Sequence, residues 1–164
     1  MRIFCIIISL LLCLSLFSCS RTEKDTGEIL ASLMEDCGPF PAGVIYTPSA
    51  EEGEEGYLSP ALMEALWGED AEEGFSMLQD YSIYLSSFAA PYEISVFSCF
   101  SATDAMRIEE LCRARADIVS VALRHTEYYG LCQSIRICRK GRNVIFLMTD
   151  HPDKAEKSAK SLIS

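Results

Sequence analysis

Val144-Ile145-Phe146-Leu147-Met148 is apolar at every position. Successive side chains of a strand point to opposite sides of the sheet, so a half-covered strand alternates and an unbroken apolar run demands cover on both faces. The run follows Lys140-Gly141-Arg142, a tight-turn triplet, and before that Leu131 to Arg139, a second strand pattern. The spacing therefore predicts a hairpin of Leu131–Arg139 and Asn143–Thr149 at the heart of a layered fold.

The same grammar recurs upstream. Met77 to Ser87 is rich in Tyr, Ile and Leu and is closed by Ala89-Ala90-Pro91. Tyr92 to Phe100 sets Ile94, Val96 and Phe100 on one side and Phe97 and Cys99 on the other, so both stretches are expected as strands. Thr103 or Asp104 then caps a long helix to about Tyr128, with Ile108, Leu111, Cys112, Val119 and Ala122 as its core stripe and Gly130 beyond its end. Asp150 caps a last helix through Ile163. The order ββαββα predicts an α+β fold: a four-stranded antiparallel sheet with helices packed on one face, preceded by short N-terminal helices. The second face of the central strand is then left to those N-terminal helices. A protein partner or a second copy docked on the sheet face is the alternative occupant.

In the N-terminal part, Thr26 to Asp36 places Ile29, Leu30, Leu33 and Met34 on one helical face. Cys37-Gly38-Pro39-Phe40-Pro41 closes that helix, with Gly38 suited to a left-handed cap. Val44-Ile45-Tyr46 is a three-residue strand candidate. Ser59-Pro60 is a helix start, a hydroxyl N-cap before Pro at the first helical position. Leu62, Leu66 and Trp67 supply its apolar face and Gly68 ends it. Glu69 to Gly74 is a polar connector or a single helical turn.

Charge divides the chain. Its 164 residues carry a net charge of −10, but Ser20 to Asp80 holds two bases and fifteen acids while Tyr81 to Ser164 holds eleven bases and nine acids. An acidic balance excludes the basic field that nucleic-acid binding needs. The centre of the acidity, Glu51-Glu52-Gly53-Glu54-Glu55-Gly56, repels itself and reads as a solvated loop. Its spacing is not that of a calcium loop, so no metal site is assigned there.

The start of the chain sets its location. Met1-Arg2 precedes an apolar run from Ile3 to Phe17, about 22 Å of helix and short of a roughly 30 Å hydrocarbon core. A run of that length behind one base is a signal-peptide pattern. It ends in Leu16-Phe17-Ser18-Cys19, which resembles the lipobox of bacterial lipoproteins. There the chain is cut between Ser18 and Cys19, and the Cys19 thiol carries a diacylglyceryl group. The expected organisation is a signal peptide over 1–18, an acidic tether with a short helix over 19–56, and a globular α+β domain over 57–164. Removing Cys5 and Cys13 and acylating Cys19 leaves Cys37, Cys99, Cys112, Cys132 and Cys138. An odd count gives no complete disulfide framework, and most of the five read as small buried hydrophobes.

Chemistry-bearing spacings are sparse. The two histidines are His125 and His151. Cys112 and His125 lie thirteen residues apart on one expected helix, about 20 Å along its axis, so they do not form a thiol–imidazole pair. Cys-x-x-Cys, phosphate-cradling glycine loops and the Gly-x-Ser-x-Gly elbow do not occur, so no catalytic residue, metal or cofactor is assigned. Glu93 is expected as a solvated edge charge or a partner for a helix Arg. Arg139, Lys140, Arg142, Lys154, Lys157 and Lys160 are either a solvated surface attracted to the chain's own acidic half or a contact for anionic headgroups and wall polymers.

From Tyr57 to Ile163, about two thirds of the chain, the order of features resembles the domain-of-unknown-function family 4358, found in small lipoproteins of clostridia and their relatives. The stretches are Leu58-Ser59-Pro60-Ala61-Leu62 leading to Leu66-Trp67-Gly68, Tyr81-Ser82-Ile83-Tyr84-Leu85-Ser86, and Tyr92-Glu93-Ile94-Ser95-Val96-Phe97. The helix around Glu109 to Arg115 and Gly141-Arg142-Asn143-Val144-Ile145-Phe146 complete them. The extra cysteines depart from the pattern, and so does Arg142, which interrupts a Gly-Asn turn. The resemblance implies a lipoprotein of Gram-positive type without an established activity. The functional expectation is a non-catalytic binding or accessory module, held by its lipid on the outer face of the cell membrane. The alternative is an extracytoplasmic enzyme whose site residue order does not reveal.

Overall fold

The computed structural model describes residues 24–86 and 91–164. Helix α1 (Thr26–Cys37) leads to strand β1 (Gly43–Tyr46), then helices α2 (Pro60–Trp67) and α3 (Ala71–Phe75). Strands β2 (Leu78–Ser86) and β3 (Glu93–Cys99) precede the long helix α4 (Ala102–Leu123) and the short α5 (Tyr129–Gln133). Strands β4 (Arg136–Lys140) and β5 (Asn143–Met148) and helix α6 (Pro152–Leu162) complete the chain. The sheet is antiparallel throughout, with five strands in the order β1-β2-β3-β5-β4.

The α+β class holds, but the sheet has five strands rather than four. The additional one is β1, which pairs with β2 from Gly43↔Ser86 to Tyr46↔Ile83. Nor are the helices confined to one face. On one side of the sheet Phe97, Val144, Phe146 and Met148 meet Ala105, Ile108, Cys112 and Val119 of α4 together with Trp67 and Ala71. On the other, Ile94, Val96, Ile145 and Leu147 meet Ile29, Leu30, Leu33 and Cys37 of α1 and Ala155 and Ala159 of α6. All six residues of β5 are buried, as its unbroken apolar run requires, and the cover on the second side comes from α1 with α6. The sheet face proposed for a partner is thus occupied by the chain's own helices.

Several boundaries differ for local reasons. The long helix stops at Leu123, leaving Ala122 exposed. Leu131 and Cys132, read as strand, lie in α5, and β4 starts only at Arg136. Glu69–Gly74 does contain a helical segment, α3. Ser59 caps α2, its hydroxyl accepting the Leu62 N–H at 3.2 Å, with Pro60 at the first turn. Gly38 ends α1 in an extended rather than a left-handed conformation, φ −71°. Its lack of a Cβ is still needed, because one built there would lie 2.7 Å from the Met34 carbonyl oxygen. Gly141 takes φ +57° in the β4–β5 turn, the left-handed geometry a two-strand connection favours.

Candidate functional site

A cleft of about 520 Å³ opens between α4 and the α2–α3 segment. One wall is a helical stripe of α4, Arg107, Glu110, Leu111, Ala114 and Ile118, whose three- and four-residue spacing keeps them on one face. The other wall carries Glu69, Asp70, Glu73 and Met77, with Gly74 where the segments approach most closely; a Cβ on Gly74 would lie 2.9 Å from a Leu111 methyl. Arg107 and Glu73 face each other at 3.6 Å, and both side chains are more than half exposed, so the pair contributes at most about 1 kcal/mol. The lining is therefore mixed: Trp67, Met77, Leu111, Ala114 and Ile118 stand beside four carboxylates and one guanidinium.

Trp67, the single tryptophan of the chain, also lines the cleft and is 1% exposed. Its ring packs on Phe75 at 5.1 Å and edge-on to Phe97 at 6.4 Å. Its Nε1–H is, among the described residues, a buried donor without an acceptor. Beside it lies a buried ion pair. Glu93 faces α4 from the start of β3, and Arg115 donates to its Oε2 from Nε at 3.0 Å and Nη2 at 2.8 Å. The Ser95 hydroxyl donates to Glu93 Oε1 at 2.9 Å, and Arg115 Nη1 donates to the Leu66 carbonyl at 3.2 Å. The guanidinium also sits 5.8 Å from the Trp67 ring centroid. Glu93 is thus the partner of a helix Arg rather than a solvated edge charge. The pair ties β3, α4 and the last turn of α2 together and fixes one side of the cleft.

The other sequence candidates are spread over the molecule. Cys37, Cys99, Cys112 and Cys138 are buried free thiols, and Cys132 is half-buried. Burial, the leading cause in each case, raises the Cys37, Cys138, Cys99 and Cys112 thiols above their ordinary value, Cys99 to about 11. Such thiols stay protonated at neutral pH and are poor nucleophiles. His125 is exposed after the end of α4, and His151 occupies the N-cap position of α6 with no side-chain cap bond. Among the described residues no three His, Cys, Asp or Glu side chains gather into a metal site. Glu51, Glu52, Glu54 and Glu55 are exposed in the loop after β1.

Several of the bases have local partners. Arg136 meets Asp153 and Glu156, each at 3.3 Å; Arg139 bonds Glu109, Lys160 bonds Glu156, and Arg142 donates to Gln79 at 3.1 Å. The acids that pair with Arg136, Arg139 and Lys160 come from the C-terminal half, not from the acidic block. Ser18 and Cys19 lie outside the described residues. None of the described helices is long and apolar enough to cross a membrane.

Comparison with protein-family models, with curated proteins and with solved structures finds no match. The cleft was not among the sequence candidates. The signal for it was a second stripe on α4, offset from the core stripe, opposite a connector dense in Glu and Asp.

Proposed function

We propose that the protein is a lipoprotein held on the outer face of a bacterial cell membrane through Cys19, and that its folded part is a non-catalytic binding or accessory module. The observation that carries the location is Leu16-Phe17-Ser18-Cys19 at the end of a short apolar run behind Arg2. Two acyl chains, at about 0.8 kcal/mol per buried methylene, give stable anchoring where one does not. The motif order that resembles the domain-of-unknown-function family 4358 supports the same reading and supplies no catalytic residues.

For the module itself, the cleft beside Trp67 is the proposed binding site. A mixed lining, apolar side chains beside four carboxylates and one guanidinium, supports a recognition surface in which polar groups orient a ligand held by apolar contact. Blocking lipoprotein signal peptidase with globomycin tests the anchor. The cells should accumulate a heavier, acylated precursor, and processing unchanged by the inhibitor would overturn the reading.

A further inference from the structure

We propose that the cleft beside Trp67 takes a short peptide segment presenting a lysine or arginine side chain next to an apolar one; this rests on the reading of the cleft as the binding site. Charge points to a cation. Of the charged groups in the lining, Arg107 and Glu73 face each other at 3.6 Å and compensate one another. Glu69, Asp70 and Glu110 form no ion pair with another described residue, so three carboxylates are left without a base. All three are exposed, and a cation gains from them without the desolvation cost of a buried pair.

An acidic rim alone would serve any dissolved cation, and two further observations narrow the choice. The carboxylates do not gather: among the described residues no three His, Cys, Asp or Glu side chains come together to hold a metal ion. Trp67 is the second. It lines the same cleft at 1% exposure, and its Nε1–H meets no acceptor among the described residues. Buried donors are almost always paired, so this indole calls for an oxygen that the described chain does not supply. The N–H is closed to water; a ligand's oxygen reaches it by displacing a lining side chain, and Met77 is the unbranched, adaptable one.

A ligand for this cleft therefore brings a cation for the carboxylates and an oxygen for the indole. An amide carbonyl suits that role better than a carboxylate, which the three acids would repel. Leu111, Ala114 and Ile118 of α4 supply apolar contact in the same lining. A peptide meets all three demands: its backbone carries the amide oxygen, a basic side chain the charge, and an apolar neighbour the rest of the space. The volume of about 520 Å³ exceeds what a bare ion needs and lies within the roughly 300–1,000 Å³ of ligand clefts.

The test uses the full isotope-labelled chain in a nonionic detergent and follows one indole resonance by nuclear magnetic resonance, since Trp67 is the sole tryptophan. The probes are acetyl-leucyl-lysine amide, acetyl-leucyl-norleucine amide and acetyl-leucyl-glutamate amide, which differ in the charge of one side chain. The lysine probe should move the indole proton saturably to lower field. At low salt it should bind about fivefold more tightly than the norleucine probe, the gain an exposed pair reaches, and that advantage should shrink as salt is raised. The glutamate probe should bind most weakly. Glu69→Gln with Glu110→Gln, both exposed positions, should remove most of the lysine advantage and leave norleucine binding unchanged, which also reports an intact cleft. Free lysine should bind more weakly than the capped probe because of its carboxylate. Equal affinity of the lysine and norleucine probes would overturn the cation and leave the cleft reading standing. An indole resonance that none of the three moves would overturn both. A lysine preference that survives the double variant, or free lysine binding as tightly as the capped probe, would overturn the peptide assignment.

Discussion

Arg115→Met removes the cation from beneath the cleft. Glu93, 1% exposed, would then keep one hydrogen-bond donor, the Ser95 hydroxyl, in place of three. The Leu66 carbonyl at the end of α2 would lose its guanidinium partner as well. Leaving a buried charge uncompensated costs about 3–5 kcal/mol, a large part of a typical domain's stability. Replacing both members by methionines of similar volume removes the stranded charge, and such exchanges are often neutral. Glu93→Met with Arg115→Met should therefore recover most of the loss, a coupling of about 2–3 kcal/mol. Urea unfolding followed by tryptophan emission reads the effect directly, since Trp67 is the sole tryptophan and lies 5.8 Å from the guanidinium. A loss below about 1 kcal/mol in the single variant would place the pair with solvated ones and rule out a stranded buried charge. A double variant as unstable as the two single losses added would rule it out equally.

Leu33→Ala at a fully buried position of α1 should cost about 2–5 kcal/mol in the same assay, whereas a residue in a free tether would cost nothing. Of Cys37, Cys99, Cys112, Cys132 and Cys138, native-state labelling with a thiol reagent at pH 7.5 should modify only Cys132 quickly. Cys37, Cys99, Cys112 and Cys138 should react only on unfolding, and a second fast thiol would contradict their burial. Hydrogen bonds from Arg139 and Arg113 hold the Glu109 carboxyl below its ordinary value. A carboxyl whose folded value is depressed stabilises above its unfolded pKa and loses that contribution as pH falls through the folded one. Glu109→Gln should accordingly lower stability by up to about 1 kcal/mol at pH 7, a loss that shrinks as acid protonates the folded carboxyl; a loss independent of pH would show that charge is not its cause.

Much of the fold was legible in residue order, and what was not has identifiable causes. The unbroken apolar run of β5 announced cover on both sheet faces, and Ser59-Pro60 announced the start of α2. Strand β1 offered three apolar residues and gains its stability from β2, some forty residues away, so local pattern undervalued it. The nine acids within residues 19–56 made that segment look like a tether. The stripe of Ile29, Leu30, Leu33 and Cys37 that packs α1 on the sheet weighs little in an average of charge. Leu131 and Cys132 suited a strand by composition but follow the Arg124–Tyr128 turn into a short helix. At the site, the α4 stripe and the acidic connector were each visible. Their meeting across Trp67, and the Glu93–Arg115 pair spanning twenty-two residues, depend on long-range packing that no local spacing encodes.

On the lipid-anchor proposal the mature chain begins at an acylated Cys19. Mass spectrometry of the N-terminal peptide from membrane-extracted protein decides this. The peptide should start at Cys19 with a diacylglyceryl group on its sulfur and nothing left of residues 1–18. A peptide that begins at Met1, or a mature N-terminus with a free Cys19 thiol, would contradict it.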